Sequence, residues 1–281
     1  MRINHNISSM ITQGSLYSTG VQMGKNLERL STGLRINRAS DDAAGLGVSE
    51  NLRTQVRGTA QARRNALDGI AAINVAEGAA NEISAILQRM RELGIQSAND
   101  TLTSTERAYT DTEFSNLNEE INRIAAVTNY NGMQLLQGAG DTRFGDSSVL
   151  WVDANNIVGT DSLTITIATL SNLDAGGIGT ESLSLSVQST SVAAISALDE
   201  AINSVNSMRS NMGAYVNRLE HAITNLTTAN TNQQAAESII RDVDFAHETS
   251  IFTKNQILTQ SGTAMLAQAN MISQSVLQFL G

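Results

Sequence analysis

The chain has 281 residues and contains neither cysteine nor proline. Without cysteine there is no disulfide and no thiolate metal site, so packing alone must stabilise the fold. At average usage a chain of this length would carry roughly fourteen prolines. Their absence permits long uninterrupted helices, because proline removes a helical hydrogen bond and clashes with the preceding turn. Aromatic residues make up only 4% of the chain, so the core must be aliphatic and alanine-rich. That suits closely packed helices better than a ring-lined ligand pocket and argues against a small-molecule enzyme. Positive charge is also in deficit: the net charge of -9 speaks against a nucleic-acid footprint and against electrostatic binding to anionic lipid. The only histidines are His5, His221 and His247, with no HExxH and no carboxylate or cysteine at ligand spacing, so no metal or catalytic site is expected. No glycine-rich loop joins a strand to a helix to cradle a phosphate. No 18 apolar residues run together, so no membrane span is expected. The opening MRINHNISSMITQG lacks an apolar h-region and is not read as a secretory signal; a chain of this kind that leaves the cell would take another route. A further absence is local. From Asn255 to Gly281 there is no Asp, Glu, Lys, Arg or His.

What is present is helical periodicity. From Met1 to about Gly138 apolar residues recur three or four apart, and Leu16, Met23 and Leu30, with Gly20, Leu27 and Leu34 four residues further on, mark a seven-residue period. A second helix is expected to start at Ser40 as N-cap, with Asp41 and Asp42 in the first turn, where the helix dipole favours carboxylates. It runs through GVSENLRTQVRG to QSAND, too long for an ordinary globular helix, and reads as coiled coil or stacked bundle. A third, from Ser104 to about Thr128, carries Phe114, Leu117, Ile121, Ile124 and Val127 on one face and stops at the turn signal Asn131-Gly132. Between Gly138 and Thr190 the period changes to two in SSVLWV, SLTITIAT and SLSLSVQS, which predicts a small antiparallel region with Leu163, Ile165 and Ile167 facing a core and Thr164 and Thr166 facing water. Helix returns from about Ser191, and a last helix begins near Asp242 or Asp244.

In that last helix Ile251, Leu258, Met265, Ile272 and Phe279 recur every seven residues, with Ala269 and Val276 four beyond two of them. The remainder is Gln, Ser, Thr and Asn, so the stripe is a seam for another helix and not a membrane face. The N-terminal stripe of Leu16, Met23, Leu27, Leu30 and Leu34 is its natural mate. Lacking charge on the opposite side, the helix is expected to be covered on every face by identical chains. Arg29, Arg35, Arg38, Arg53, Arg57, Arg63 and Arg64 cluster in the first quarter while acids dominate later, a distribution that could set register between copies.

Four segments resemble the bacterial flagellins: LSTGLRINRASDDAAGLGVSENLRTQVRG from Leu30, NRLEHAITNL from Asn217, AAESIIRDVDFAHE from Ala235 and LTQSGTAMLAQAN from Leu258. The resemblance covers about residues 1–138 and 191–281, departing at Ser273, where relatives often have proline. It implies a mainly α fold: a long antiparallel helical bundle or coiled coil formed by both chain ends, with a small antiparallel β-hairpin region in the middle. The implied division is an inner coiled-coil domain from 1–39 and 241–281, and a core domain from the helices of 40–138, the hairpin region of 139–190 and the helix of 191–240. Large outer domains are missing, as in a short flagellin. The implied role is a structural subunit that self-assembles into the flagellar filament for swimming, with no cofactor and no enzymatic activity. Implied partners are further copies of the chain, the flagellar type III export apparatus, an export chaperone, the filament cap and hook-junction proteins, and the implied place is a secreted filament, extracellular or, in a spirochaete-like cell, periplasmic. LQRMRELGIQSAND resembles the segment read by Toll-like receptor 5, the matching positions being Arg89, Leu93 and Glu113, a surface that the family also implies as a subunit interface. Rival readings are a hook-filament junction protein, a flagellin with a metalloprotease in its middle, for which Gly138 to Thr190 holds no histidine, and a membrane-inserting translocator, for which the apolar runs are missing.

Overall fold

A computed structural model describes residues 5–136, 146–155, 162–166 and 175–278, with 146–148, 166 and 272–278 described as backbone only. In chain order the elements are α1 (Ile7–Thr32), α2 (Ala43–Ser97), α3 (Ser104–Val127), β1 (Asn129–Tyr130), β2 (Met133–Gln134), β3 (Asp146–Trp151), β4 (Ser162–Thr166), α4 (Gln188–Arg241) and α5 (Phe245–Gln278). The fold is mainly helical, with the two chain ends paired and small antiparallel strand pairs in the middle. At 55 residues, α2 extends about 80 Å at 1.5 Å per residue, a length that the absence of proline allows.

Polar side chains set most of the helix ends. Asn6 caps α1 by accepting from the Ser9 N–H at 3.1 Å, and the helix closes on Gly33 in the left-handed conformation (φ 72°), whose N–H returns to the Arg29 carbonyl. Helix α2 starts at Ala43, not at Ser40. Asp42 is the residue that caps it, its Oδ1 accepting from the Gly45 N–H at 2.8 Å, whereas Asp41 Oδ2 takes the N–H groups of Asn37 and Arg38 and shapes the preceding turn. A carboxylate outcompetes the Ser40 hydroxyl for these amides because a charged acceptor makes the stronger bond. Thr103 and Glu106 form a reciprocal capping box on α3, and Asp244 caps α5 through the N–H groups of Ala246 and His247.

The chain divides into two compact units, residues Met1–Thr54 with Thr231–Gly281, and residues Gln55–Asn230. The core of the second unit is made of stripes from α2 (Ala66, Ile73, Ala80, Ile83, Leu87, Met90), α3 (Phe114, Ile121, Ala125) and α4 (Ala194, Leu198, Ala201, Val205, Met212, Leu219). Alanines at these positions let the helices approach closely, and Phe114, with 1% of its surface exposed, is the largest fully buried side chain among the described residues. On α3, Leu117 and Ile124 pack against this core, while Val127 is exposed. By length and composition α2 could cross a membrane; here its apolar side is occupied by that core.

The first strand pair is a two-residue hairpin in which Asn131 (φ 51°) and Gly132 (φ 80°) both take positive φ, the demand of a turn matching strand twist. The second pairs β3 with β4 antiparallel, Leu150 opposite Leu163 and Val149 opposite Thr164. Leu163 and Ile165 are buried and Thr164 is exposed, as the alternation requires; Ile167 lies outside the described residues and Thr166 is described as backbone only. SLSLSVQS forms no strand. The Leu185 N–H donates to Asp111 Oδ1 at 2.6 Å and its carbonyl accepts from the hydroxyls of Ser97 and Ser191. Side chains satisfy these backbone groups, so no ladder is needed.

The β3–β4 pair rests on α2 over two glycines. Leu150 packs onto Gly69, and a Cβ at Gly58 would lie 2.7 Å from the Ala154 Cβ and 3.1 Å from its Cα. Asn65 donates to the Trp151 carbonyl between these points. Since Ala154 presents backbone, Gly58→Val should lift this segment while the helices stand. Trp151 is the single tryptophan, so its emission reports the change: a red shift with unaltered far-ultraviolet helicity is expected, and an unchanged spectrum would refute the packing.

Candidate self-assembly interface

In the first unit α1 packs along α5. Where the helices break, the two links are joined by backbone: Arg35 N–H donates to the Arg241 carbonyl at 2.7 Å, Val243 N–H to the Gly33 carbonyl at 3.0 Å, and Leu34 bridges Asp242. The Arg35 guanidinium donates to the Ile240 carbonyl, closing the end of α4. Glu50 at the start of α2 holds Arg241 at 2.7 Å and Arg53 at 3.2 Å.

The face of α5 turned to α1 is not the one that apolar spacing selects. Its seven-residue repeat is Glu248, Asn255, Gly262 and Ala269, three of which are buried side chains and the fourth a glycine under Leu16. Leu16 lies so close that a Cβ on Gly262 would sit 2.8 Å from its Cδ2, and Asn6 Nδ2 donates to the Ala269 carbonyl at 2.9 Å. On α1 the opposing stripe of Leu16, Met23 and Leu30 is half-buried, as is Leu34 beyond the helix end. Large side chains on α1 thus meet a small and polar repeat on α5, with half-buried Phe252 and Leu266 set between its members. The expected mating of two apolar stripes is corrected here: Ile251 is half-buried, while Leu258 (44% exposed), Met265 (61%) and Leu27 (58%) face away from the pair. Ile272 and Val276 are described as backbone only, and Phe279 lies outside the described residues. Ile257, Met271, Val21, Tyr17 and Met10 extend the outward apolar surface.

Near the joined links the pair contains a buried polar group. Glu248 is 4% and Asn26 5% exposed, and Arg29 Nη1 lies 3.7 Å from Glu248 Oε1. A carboxylate and a backbone carbonyl can only accept, so the Asn26 amide nitrogen is the atom facing them, donating to Glu248 at 3.1 Å and to the Gln22 carbonyl at 2.9 Å. Sequence reasoning missed Asn26 and Glu248; the available signal was the small-and-polar repeat lying three residues before the apolar one.

Of the clustered arginines, Arg29, Arg38 and Arg53 pair with Glu248, Glu28 and Glu50 of their own chain. In the second unit Arg89 bridges α2 to α3, with Nε and Nη2 3.0 and 2.8 Å from Glu113 Oε1, and also reaches Glu92 at 3.2 Å. Hydrogen bonding to Glu113 foremost, then to Glu92, raises the Arg89 pKa. Arg89 and Glu113 are thus surface groups, whereas Leu93, expected beside them as a contact residue, is only 1% exposed and belongs to the helix core. The i, i+4 spacing puts it on the neighbouring turn, but that side of the turn faces Met90 and Leu87, inward. Among the described residues no group of three or more His, Asp or Glu is placed to hold a metal.

Two family models match the chain: the bacterial flagellin N-terminal helical region over residues 3–141 and the C-terminal helical region over residues 195–280. The chain is 47% identical to the flagellar filament 33 kDa core protein of Treponema phagedenis over 289 aligned residues, covering all of both proteins. It is 45% identical to a flagellin of Halalkalibacterium halodurans over 282, again with complete coverage. Among solved structures it is similar to the crystal structure of Bacillus cereus flagellin, with a TM-score of 0.50 and 31% identity over 62% of this chain and 94% of that one.

The hydrogen bond from Arg241 holds the Glu50 carboxyl below the usual carboxylate range against the opposing effect of burial, helped by the charges and donors of Arg53. A lowered folded pKa means that the contribution is complete above the ordinary glutamate range and is lost as pH falls through the folded value. Glu50→Gln should therefore lower the melting temperature at pH 7, with the difference from the parent closing in acid. A gap that persists unchanged at low pH would show that Glu50 acts through packing and not charge.

Proposed function

The chain belongs to the bacterial flagellin family and is a structural subunit of the flagellar filament, and from this premise we propose that neighbouring copies bury the outward stripes of α1 and α5. One observation carries the reading: the helix pair leaves Leu27, Ile257, Leu258, Met265 and Met271 exposed while it spends part of its inner α5 face on Glu248, Asn255 and Gly262. A stable monomer would put its greasiest stripe between its own helices. Each such side chain that a neighbour covers contributes about 1.5 to 3 kcal/mol, so a few suffice. Contacts that repeat head to tail without closing give an open fibre.

In this reading residues 1–39 and 241–281 form the inner coiled-coil domain of the filament, and 40–138, 139–190 and 191–240 its core domain. The chain works as a scaffold and not as an enzyme. It leaves the cell through the flagellar type III export apparatus, escorted by a chaperone, and meets the hook-junction and cap proteins at the filament's two ends. The filament lies outside the cytoplasm, extracellular or, in a spirochaete-like cell, in the periplasm. Full-length relatives carry the names flagellin and filament core protein, which favours the filament over the hook-junction role. Toll-like receptor 5 is a further proposed partner, reading the exposed Arg89–Glu113 pair, with Leu93 supporting it from beneath.

Two changes test the assembly reading. Leu258→Asp with Met265→Asp, in the full chain, should keep parental helicity and Trp151 emission yet abolish sedimentable polymer after seeding. Deleting residues 255–281, which removes most of α5, should likewise abolish polymer while the Trp151 emission stays parental, and normal filaments from either would refute the interface. Arg89→Ala, added as soluble subunit to receptor-reporter cells, should lower the response severalfold; an undiminished response would remove the receptor from the list of partners.

A further inference from the structure

The mixed inner face of the α1–α5 pair raises a question of specificity. Ile251, Leu258 and Met265 follow Glu248, Asn255 and Gly262 by three residues, and three residues at 100° each amount to 300° around a helix. A rotation of about 60° about its axis would therefore bring the apolar stripe of α5 against α1 and turn the polar one outward. The same rotation would carry Phe252 and Leu266, half-buried in the observed pair, outward in exchange, so burial of apolar surface alone does not fix which pairing forms. The rotation would also remove from the surface the side chains that neighbouring copies need.

We propose that the hydrogen bond between Asn26 and Glu248 selects which face of α5 the N-terminal helix takes, and thereby keeps the assembly stripe outward. This rests on the filament reading above only for its consequence. The selection itself is a property of the helix pair.

The argument turns on Asn26. Its side chain is on the face of α1 that meets α5 and is 5% exposed. In the observed pairing its amide donates to Glu248 and to the Gln22 carbonyl, and Arg29 neutralises the carboxylate from 3.7 Å. In the rotated pairing Glu248 would move out to water, where it loses little, but Asn26 would face Ile251 and lose its charged acceptor. A buried amide left with only the Gln22 carbonyl of its own helix is what penalises the wrong face. A single buried asparagine sets register and partner choice in coiled coils for the same reason, sacrificing some stability for uniqueness. Two further features agree with the selection. Gly262 gives Leu16 its seat, and the backbone joins of Arg35 to Arg241 and Val243 to Gly33 hold the two helices together within seven residues of Glu248, close enough for that bond to orient the remainder of α5 as it zips.

Because the chain has no cysteine, paired cysteines report the chosen face without interference. Leu16→Cys is combined in the full chain with Gly262→Cys for the observed face, or with Met265→Cys for the rotated one, and intrachain disulfide is measured on gels before and after seeding. In the parent background the 16–262 disulfide should dominate. Asn26→Leu, and independently Asn26→Ala, should lower the ratio of 16–262 to 16–265 product by about tenfold, the factor matching ~1.4 kcal/mol for a hydrogen bond to a charged acceptor. Glu248→Gln retains an acceptor of the same shape and should keep the parental ratio. An unchanged ratio in both Asn26 variants overturns the proposal, as does a fall with Glu248→Gln equal to that of the Asn26 variants. Failure of the parent to polymerise would instead strike at the assembly interface and leave the disulfide ratio standing as its own result.

Discussion

The structure depends on a helix pair that joins large side chains to small and polar ones. Leu16, Met23 and Leu30 of α1 lie toward a stripe of α5 whose repeat is Glu248, Asn255, Gly262 and Ala269. Such a face is tight where Gly262 admits Leu16, while Glu248 and Asn255 take positions that an apolar seam would fill. The outward faces retain what the inner one lacks. A pair built this way is incomplete as a monomer, and incompleteness is what a polymer subunit requires.

The second unit follows the opposite logic. Its core is continuous, with Ile83, Leu87, Met90, Phe114 and Ile121 fully buried among alanines from α2 and α4. Several polar groups inside bond one another: the Ser97 and Ser191 hydroxyls meet at the Leu185 carbonyl, and Thr180 donates to Asn118. Ion pairs such as Arg91 with Asp199 at 2.6 Å tie α2 to α4 at the surface, where exposed pairs are worth at most about 1 kcal/mol. Stability resides in packing and assembly in the greasy margins, so a change that blocks polymerisation need not unfold the chain.

Much of this was legible in the residues. The seven-residue spacing from Leu16 to Leu30 announced a helix with one apolar stripe, Asn131-Gly132 a two-residue turn, and Asp244 the start of the last helix, because each signal is local and each partner lies within a turn. Other features were not. Ser40 lost its cap to Asp42, since adjacent residues of similar chemistry are separated only by the path of the backbone. SLSLSVQS alternates like a strand, yet Asp111, Ser97 and Ser191 claim its backbone groups from other parts of the chain. Leu93 stands four residues from Arg89, but spacing gives the angle around a helix and not the direction in which the core lies.

The sequence by itself determined that the chain is helical, that it can form no disulfide, and that its residues 255–281 carry no charged side chain, a pattern suited to company and not to water. It determined the period of the terminal stripes as well. Which stripe faces inward was decided only in three dimensions. Periodicity assigns residues to a face of one helix, whereas the choice of face is made between two helices, through the fit of Leu16 over Gly262 and the hydrogen bond that Asn26 finds at Glu248 across more than two hundred residues of chain.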